Sequence, residues 1–268
     1  PEHNPVGEYT KTGAIAPGQR ADMVVFSRLD DPAVEAVYAG GQRVAEHGRL
    51  LETAVFPDPI PPAPAMHVDP AALDFRVTAA GPRIRVIEIV PGQIVTRQGQ
   101  AATPVADGRA VADPDRDLLK IAVVERHRGT ARTGIGFVKG MGLRRGAIAS
   151  SVAHDAHNII VVGARDDDMH AAVRHVVDMQ GGLAVVADGK VLASLALPIA
   201  GLMSPKPIRS IQEQLTGLTR AARDLGTSLP DPFMTLSFLA LPVIPELKIT
   251  DRGLVDVDRF EPVDLFVR

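Results

Sequence analysis

Two histidines and the polar residues around them form the segment of this sequence best suited to chemistry. His154 and His157 lie in the run Ser150 to Asn158, which reads SSVAHDAHN. Its imidazoles, carboxylate, hydroxyls and amide could bind a metal ion, transfer protons as an acid–base pair, or hydrogen-bond to a heterocycle. Alternatively, Asp155 and Asn158 could build a turn by bonding to their own backbone, with structural histidines nearby. The residues alone leave these interpretations open.

Other patterns associated with particular chemistries are absent from the sequence. The remaining histidines form no His-x-His or His-Glu-x-x-His arrangement. Gly134-x-Gly136 and Gly140-x-Gly142 bracket one predicted strand, but they lack the Lys-Ser/Thr of a phosphate-binding P-loop. We expect these glycines to allow close backbone approach or a mobile loop. The absence of cysteine excludes disulfides, thiolate nucleophiles and Cys-ligated zinc.

Two apolar segments flank the polar run and should position it. Residues 147–153 and 159–163 are predicted strands, so the histidines fall in a strand-to-strand loop on a sheet, where functional groups often lie. A helix is predicted to begin at Asp166 and to end at Gly181, because three aspartates suit a helix N-terminus and glycine suits a C-terminus. Asp188-Gly189 predicts a hairpin turn between two apolar runs.

Further elements are predicted on either side of this region. Residues 84–90, 120–124 and 134–138 have the composition of strands, and residues 207–225 carry apolar side chains at helical spacing. Residues 229–268 are apolar but contain several prolines. This composition predicts an ordered irregular segment with short strands.

A proline-rich segment divides the sequence. Residues 1–56 predict a small β unit, and residues 56–64 (FPDPIPPAP) then contain five prolines. We assign residues 57–72 to a linker and residues 73–268 to a second domain. The expected fold class is α+β, with a small β-sandwich remnant followed by an α/β domain of mixed sheet and helices. We expect no TIM barrel in this chain.

Charge and hydropathy narrow the classes of partner. The formal net charge is −3 and no polybasic stretch is present, so neither nucleic acid nor a membrane surface is expected as a partner. No apolar run approaches the roughly 20 residues that span a bilayer, and residues 1–10 do not resemble a signal peptide. We therefore expect a cytoplasmic protein. We also expect the protein to form a homo-oligomer.

Five stretches of the sequence resemble the bacterial adenine deaminases of the amidohydrolase superfamily. Residues 12–25 (TGAIAPGQRADMVV) and 34–51 (VEAVYAGGQRVAEHGRLL) resemble the β-sandwich segment that follows the barrel in that superfamily. The C-terminal domain peculiar to adenine deaminases is similar to residues 140–163 (GMGLRRGAIASSVAHDAHNIIVVG), 197–204 (LPIAGLMS) and 231–246 (DPFMTLSFLALPVIPE).

The resemblance implies hydrolytic deamination of adenine to hypoxanthine and ammonia, in purine salvage. It also implies a hydroxide bridging two divalent metal ions, manganese or iron, because paired metals lower the pKa of bound water. The metal ligands of the superfamily come from its barrel, which needs about 250 residues by itself. We therefore expect the ligands outside this chain. Because the sequence begins with Pro1 rather than Met, the barrel is expected upstream, and this chain alone should be inactive.

The resemblance also gives the polar loop a place in the enzyme. The C-terminal domain is expected to pack beside the barrel, with the loop near the mouth of the active site. His154, Asp155 and His157 are then candidate catalytic residues, and Ser151 and Asn158 are candidate substrate-binding residues. A stand-alone binding or assembly module is one alternative. The other, a related amidohydrolase acting on a different cyclic amide or amine, is disfavoured by the match to residues 140–163.

Overall fold

A computed structural model describes residues 12–52, 54 and 63–267. The chain divides into two compact units, Pro1–Ile60 and Pro61–Arg268, called unit 1 and unit 2 below. Residues 57–62 of the predicted linker and residues 1–11 lie outside the described residues. From residue 63 onward the chain is described within unit 2. Its Met66 is buried in an apolar cluster of that unit, although the sequence analysis assigned this position to the linker.

Unit 1 contains one antiparallel sheet of four strands in the order β1-β2-β3-β4. The strands are β1 (Met23–Phe26), β2 (Val34–Ala39), β3 (Gln42–Glu46) and β4 (Arg49–Leu50). Gly40 and Gly41 join β2 to β3 with φ angles of 57° and 82°. Positive φ at two successive residues is the requirement of a tight hairpin turn, and glycine meets it without strain.

Unit 2 contains three α-helices and the remaining strands of the described residues. The helices are α1 (Asp166–Asp178), α2 (Ile208–Asp224) and α3 (Pro232–Leu239). The strands are β5 (Val77–Thr78), β6 (Arg83–Ile89), β7 (Thr96–Ala102), β8 (Val105–Ala106), β9 (Arg109–Ala110), β10 (Leu118–Val124), β11 (Thr133–Lys139), β12 (Ala147–Ser150), β13 (Ile159–Gly163), β14 (Gly182–Ala187), β15 (Lys190–Ala196), β16 (Leu247–Thr250), β17 (Gly253–Asp256), β18 (Glu261–Val263) and β19 (Phe266–Val267).

Nine of these strands form one mixed sheet. Its order is β15-β14-β12-β13-β10-β11-β6-β19, with β7 also paired to β6. Strand β6 pairs with β7 along one edge; on its other edge its first residues pair with β19 and its last residues pair, in parallel, with β11. Two small sheets, β16-β17-β18 and β5-β9-β8, complete the unit. None of the sheets in the described residues closes into a barrel.

The central strands of the large sheet are buried on both faces. Helix α1 packs on one face, where Met169 and Val173 lie in the same cluster as Val161. On the other face, Leu218 of α2 and Leu236 of α3 lie in one cluster with Ile160 and Val162, which alternate with Val161 along β13. Burial on both faces explains why these strands are continuous apolar runs. The mixed sheet with separate helices confirms the predicted α+β class.

The prediction for residues 229–268 was wrong in one element. The structure forms helix α3 there instead of an irregular segment. Pro232 stands at the start of the helix, where its missing N–H costs nothing, and Asp231 Oδ1 accepts a hydrogen bond from the Met234 N–H at 2.9 Å. The helix is apolar on most sides, so it lacks the periodic pattern that identifies a surface helix.

Two other elements differ from the sequence prediction in extent. Strand β12 ends at Ser150, three residues before the predicted end, because Ser151 turns out of the ladder with β13. The apolar stripe of α2 is buried only in its second half: Leu218 is fully buried, while Ile208 is 81% exposed.

Candidate functional site

The loop Ser151 to Asn158 joins the adjacent antiparallel strands β12 and β13 at one end of the large sheet. Inside the loop, the His157 N–H donates to the Ala153 carbonyl at 2.6 Å, and His157 has a positive φ of 49°. The loop also contacts α3, because the His154 N–H donates to the carbonyl of Ser237 at 3.3 Å. A helix some 80 residues further along the chain therefore helps to shape this loop.

Ser151 is fully buried beneath the loop. Its hydroxyl donates to the Gly201 carbonyl at 2.5 Å and accepts from the Gly182 N–H at 2.7 Å. These bonds tie the loop to the start of β14 and to the segment around residue 201. The hydroxyl is occupied inside the unit, and Ser151 lines neither of the two cavities described next.

The ring of His154 is fixed by two residues of α3. Its Nδ1 lies 2.5 Å from Ser237 Oγ, and the ring stacks on Phe238 with centroids 4.7 Å apart and planes 6° apart. Nε2 is then the nitrogen left to exchange hydrogen bonds or protons with a ligand. Sequence reasoning missed both α3 residues, because nothing near the histidines indicates them.

His154, Asp155 and Asn158 line one cavity of about 400 Å³, called the His154 cavity below. Asn158 is buried and its Oδ1 accepts from the backbone N–H of Arg126 at 3.4 Å, which leaves its amide protons free to donate. Asp155 is exposed at the rim. The remaining lining is mostly apolar and consists of Val123, Ala153, Ala156, Ala240, Pro242, Val243, Thr250 and Asp251.

His157 lines a different cavity of about 560 Å³, called the Arg126 cavity. Its ring centroid is 5.8 Å from that of His154. Burial, together with the nearby His154 and Arg126, lowers the pKa of His157, while Asp155 acts in the opposite direction. These effects favour the neutral form of the His157 ring. The predicted catalytic group is thus divided, with His154 and Asp155 on one side of the loop and His157 on the other.

Arg126, which sequence reasoning also missed, lies at the base of the second cavity. It is 2% exposed and donates to three backbone carbonyls: Nε to His157, Nη1 to Ala65 at 2.6 Å and Nη2 to Ala200 at 2.9 Å. These bonds hold three separate segments together. The available sequence signal was weak, an arginine two residues after the end of a mostly apolar strand.

The described residues contain no group of three or more His, Asp or Glu side chains placed to hold a metal ion together. The residues present therefore do not fit the metal pair that the resemblance implies, and no step of the chemistry below depends on one. None of the helices that the structure describes is long and apolar enough to cross a membrane.

Comparison with known proteins identifies the family. The family model described as the adenine deaminase C-terminal domain matches residues 93–261. The chain belongs to the adenine deaminase family. The resemblance seen in the sequence is thereby confirmed. The matched range contains the loop, the three helices and the complete lining of the His154 cavity, whereas the Arg126 cavity also uses residues 63–67.

Individual adenine deaminases are similar over nearly the whole chain. The enzyme named adenine deaminase from Desulfatibacillum aliphaticivorans is 54% identical over 254 residues, which are 95% of this chain and 45% of the relative. Adenine deaminase from Methylobacterium nodulans is 51% identical over 254 residues, 93% of this chain and 44% of the relative. Adenine deaminase 2 from Carboxydothermus hydrogenoformans is 48% identical, covering 94% and 44%. The chain spans less than half the length of these relatives.

Proposed function

We propose that this chain is part of an adenine deaminase that hydrolyses adenine to hypoxanthine and ammonia, with the His154 cavity facing the purine. The observation that carries the proposal is the lining of this cavity, which lies wholly within the part of the chain that matches the family. Its walls are apolar, and a few polar groups converge at one side. A purine has apolar faces and an edge of hydrogen-bond donors and acceptors, and it suits such a lining.

The reaction requires groups that can bind the purine edge and move protons. Water adds its oxygen to the purine carbon that carries the amino group, the carbon–nitrogen bond breaks, and ammonia leaves after accepting a proton. His154 is suited to hold or deliver that proton through Nε2, because its Nδ1 is bound to Ser237. The amide of Asn158 can donate to a ring nitrogen, and the carboxylate of Asp155 can accept from the amino group.

We propose that the manganese or iron pair implied by the resemblance is bound by the part of the enzyme outside this chain. The described residues do not fit it, so we assign to this chain only purine positioning and proton transfer. The relatives extend well beyond the matched residues, which leaves room in such enzymes for an upstream barrel carrying the ligands. We infer that the chain by itself does not turn over adenine.

The same proposal includes a role in purine salvage in the cytoplasm, within a homo-oligomer. The deamination product, a free purine base, is the kind of compound that salvage reactions consume. The lack of cysteine suits a reducing compartment, although it does not require one. Light scattering of the purified enzyme measures the oligomeric state.

A graft tests the proposal. This chain replaces the matching residues of the Desulfatibacillum aliphaticivorans enzyme, and hypoxanthine formation is assayed with purified protein. We expect the graft to deaminate adenine. In the graft, His154→Gln should lower kcat/KM by about 100-fold, since it removes a positioned proton-transfer group. The variant should still fold, with a modestly lower melting temperature because the stack on Phe238 is lost. His170→Gln, on α1 and outside both cavities, is the matched control and should keep normal activity.

Two outcomes would contradict the proposal. A folded graft that forms no hypoxanthine would favour the second candidate function, a binding or assembly module. That function is supported by the lack of a metal-ligating group in the described residues. A His154→Gln graft with near-normal kcat/KM would give the loop a purely structural role. A third candidate, hydrolysis of another cyclic amide or amine, is disfavoured because the similar relatives above are named adenine deaminase.

A further inference from the structure

The Arg126 cavity has a lining that the proposed deaminase chemistry does not use. Arg126, His67, His127 and His157 contribute its polar side chains, and none of its lining residues is acidic. Its other walls are apolar and consist of Ala63, Pro64, Ala65, Ala156, Ile199, Ala200 and Leu202. A cavity that combines basic groups with apolar walls is suited to an anionic ligand with an organic portion.

The charge of Arg126 is incompletely balanced by the protein. Its three hydrogen bonds go to neutral backbone carbonyls, and no carboxylate of the described residues forms an ion pair with it. Burying a cation without an opposite charge is costly. Three of its five N–H groups are used, so two can still donate. A bound anion would supply the missing charge and accept from these groups.

Two imidazoles of the same lining differ in what they can offer a ligand. Nδ1 of His157 is buried and has no hydrogen-bond partner in the described part of the chain. His127 stands at the exposed rim, where its Nε2 lies 2.8 Å from the carbonyl of Ala156. A buried ring nitrogen without a partner is unusual in a folded protein, and this one can pair with a ligand that enters the cavity.

We propose that the Arg126 cavity binds a phosphate group carried on a small organic molecule. The two unused N–H groups of Arg126 and the unpartnered Nδ1 of His157 can supply three donors, which match the three terminal oxygens of a phosphate monoester better than the two of a carboxylate. The volume of about 560 Å³ exceeds the need of a free phosphate ion, and Pro64, Ile199 and Leu202 supply apolar contacts for the organic part. This site lies across the loop from the His154 cavity and does not depend on the deaminase proposal.

Calorimetric titration of the whole chain with inorganic phosphate, phenyl phosphate and phenol tests the ligand class. Phenol reports any binding of the phenyl ring alone, including binding in the His154 cavity. We expect phenyl phosphate to bind most tightly, inorganic phosphate more weakly, and phenol not at all. If neither phosphate binds, the site is overturned. If inorganic phosphate binds at least as tightly as phenyl phosphate, the assigned role of the apolar walls is wrong.

Variants then locate the bound phosphate. His127→Glu places a carboxylate at the exposed rim and should weaken phenyl phosphate binding by about tenfold or more. Arg128→Gln also lowers the formal charge by one but does not line the cavity, so it should change the affinity by less than about twofold. His157→Asn keeps a residue that tolerates positive φ and should weaken binding through the lost imidazole. Equal affinities of His127→Glu and Arg128→Gln would place the phosphate elsewhere.

Discussion

Three cationic side chains among the described residues are almost fully buried, and they differ in what balances their charge. Lys120 Nζ binds both oxygens of Asp166, at 2.6 and 2.8 Å. Arg126 donates hydrogen bonds only to backbone carbonyls. Lys248, on β16, donates to the carbonyl of Ile94 at 2.9 Å, and burial lowers its pKa to about 8. Of the two lysines, Lys248 therefore bears the larger cost of burying a charge.

Replacing Lys248 with methionine should stabilise the protein at neutral pH. Methionine has a similar length and fits the site without the charge, so we expect a gain of about 1–2 kcal/mol in the free energy of unfolding. Urea denaturation of the variant and of the original chain measures this difference. Lys190→Met, at the exposed start of β15, is the matched control and should change stability little.

The pH dependence of the stability gained by Lys248→Met identifies the cause of that gain. A lysine whose pKa is lowered on folding binds fewer protons in the folded state, so the stability of the original chain should rise as the pH increases from about 8 to about 10.5. The advantage of Lys248→Met should shrink over the same window. A gain that is constant across this range would mean that packing, rather than charge, is responsible.

The sequence predicted some features of the candidate site and missed others. The polar run between two apolar strands was predicted to be a loop, and the structure forms that loop. Sequence proximity suggested that His154 and His157 act together, yet they line different cavities. The contacts that orient His154 come from Ser237 and Phe238, and no local pattern could predict them.

At the scale of elements, the connection between β10 and β11 is organised by one carboxylate. Glu125 is buried and accepts hydrogen bonds from the N–H groups of His127, Arg128 and Thr130 at 2.6, 2.9 and 3.2 Å. The hydroxyl of Thr130 donates to it as well, at 2.7 Å. This turn carries Arg126 and His127 into the Arg126 cavity, so Glu125 acts on that cavity by positioning them.

Glu125→Gln should destabilise the protein by about 1–3 kcal/mol near neutral pH, because an amide group cannot accept from all four donors. Burial raises the pKa of Glu125, but the four hydrogen bonds outweigh this effect and lower the pKa to about 2. The carboxylate therefore contributes stability above its usual pKa of 4.5, and that contribution is lost as the pH falls toward 2. Urea denaturation across this range measures the contribution.

The control for this variant is Glu213→Gln, which changes an exposed residue of α2. It should alter stability by less than about 0.5 kcal/mol at any pH in the window. The interpretation of Glu125 is wrong if Glu125→Gln keeps the same loss of stability at acidic pH as at neutral pH.

Strands could be predicted from the sequence where burial alone determines the pattern of apolar residues. Strand β13 is apolar throughout and β10 is apolar except for Lys120, and both were predicted from that composition, because both of their faces are covered. Strand β7, with the sequence TRQGQAA, was not predicted, since most of it is exposed and it forms by pairing along the full length of β6. Its register depends on a partner strand rather than on its own side chains.

At the scale of the whole molecule, the two units differ in the apolar surface that each can bury. Unit 2 contains three clusters of buried apolar residues, on both faces of its large sheet and beside the small sheet β5-β9-β8. Among the described residues of unit 1, only Ala36 is buried, and Val24 and Phe26 are 54% and 40% exposed. The contrast predicts different behaviour when each unit is produced separately.

We expect residues 61–268 to fold alone with a single cooperative thermal transition, because their core clusters are formed within the unit. Residues 1–60 alone should show no cooperative transition, because a four-stranded sheet with so little buried surface cannot offset the entropy of ordering its chain. Circular dichroism on heating, applied to both fragments and to the whole chain, measures these transitions. A fragment 61–268 without a cooperative transition would show that its core is incomplete, and a cooperative transition in 1–60 would show that its sheet buries enough surface by itself.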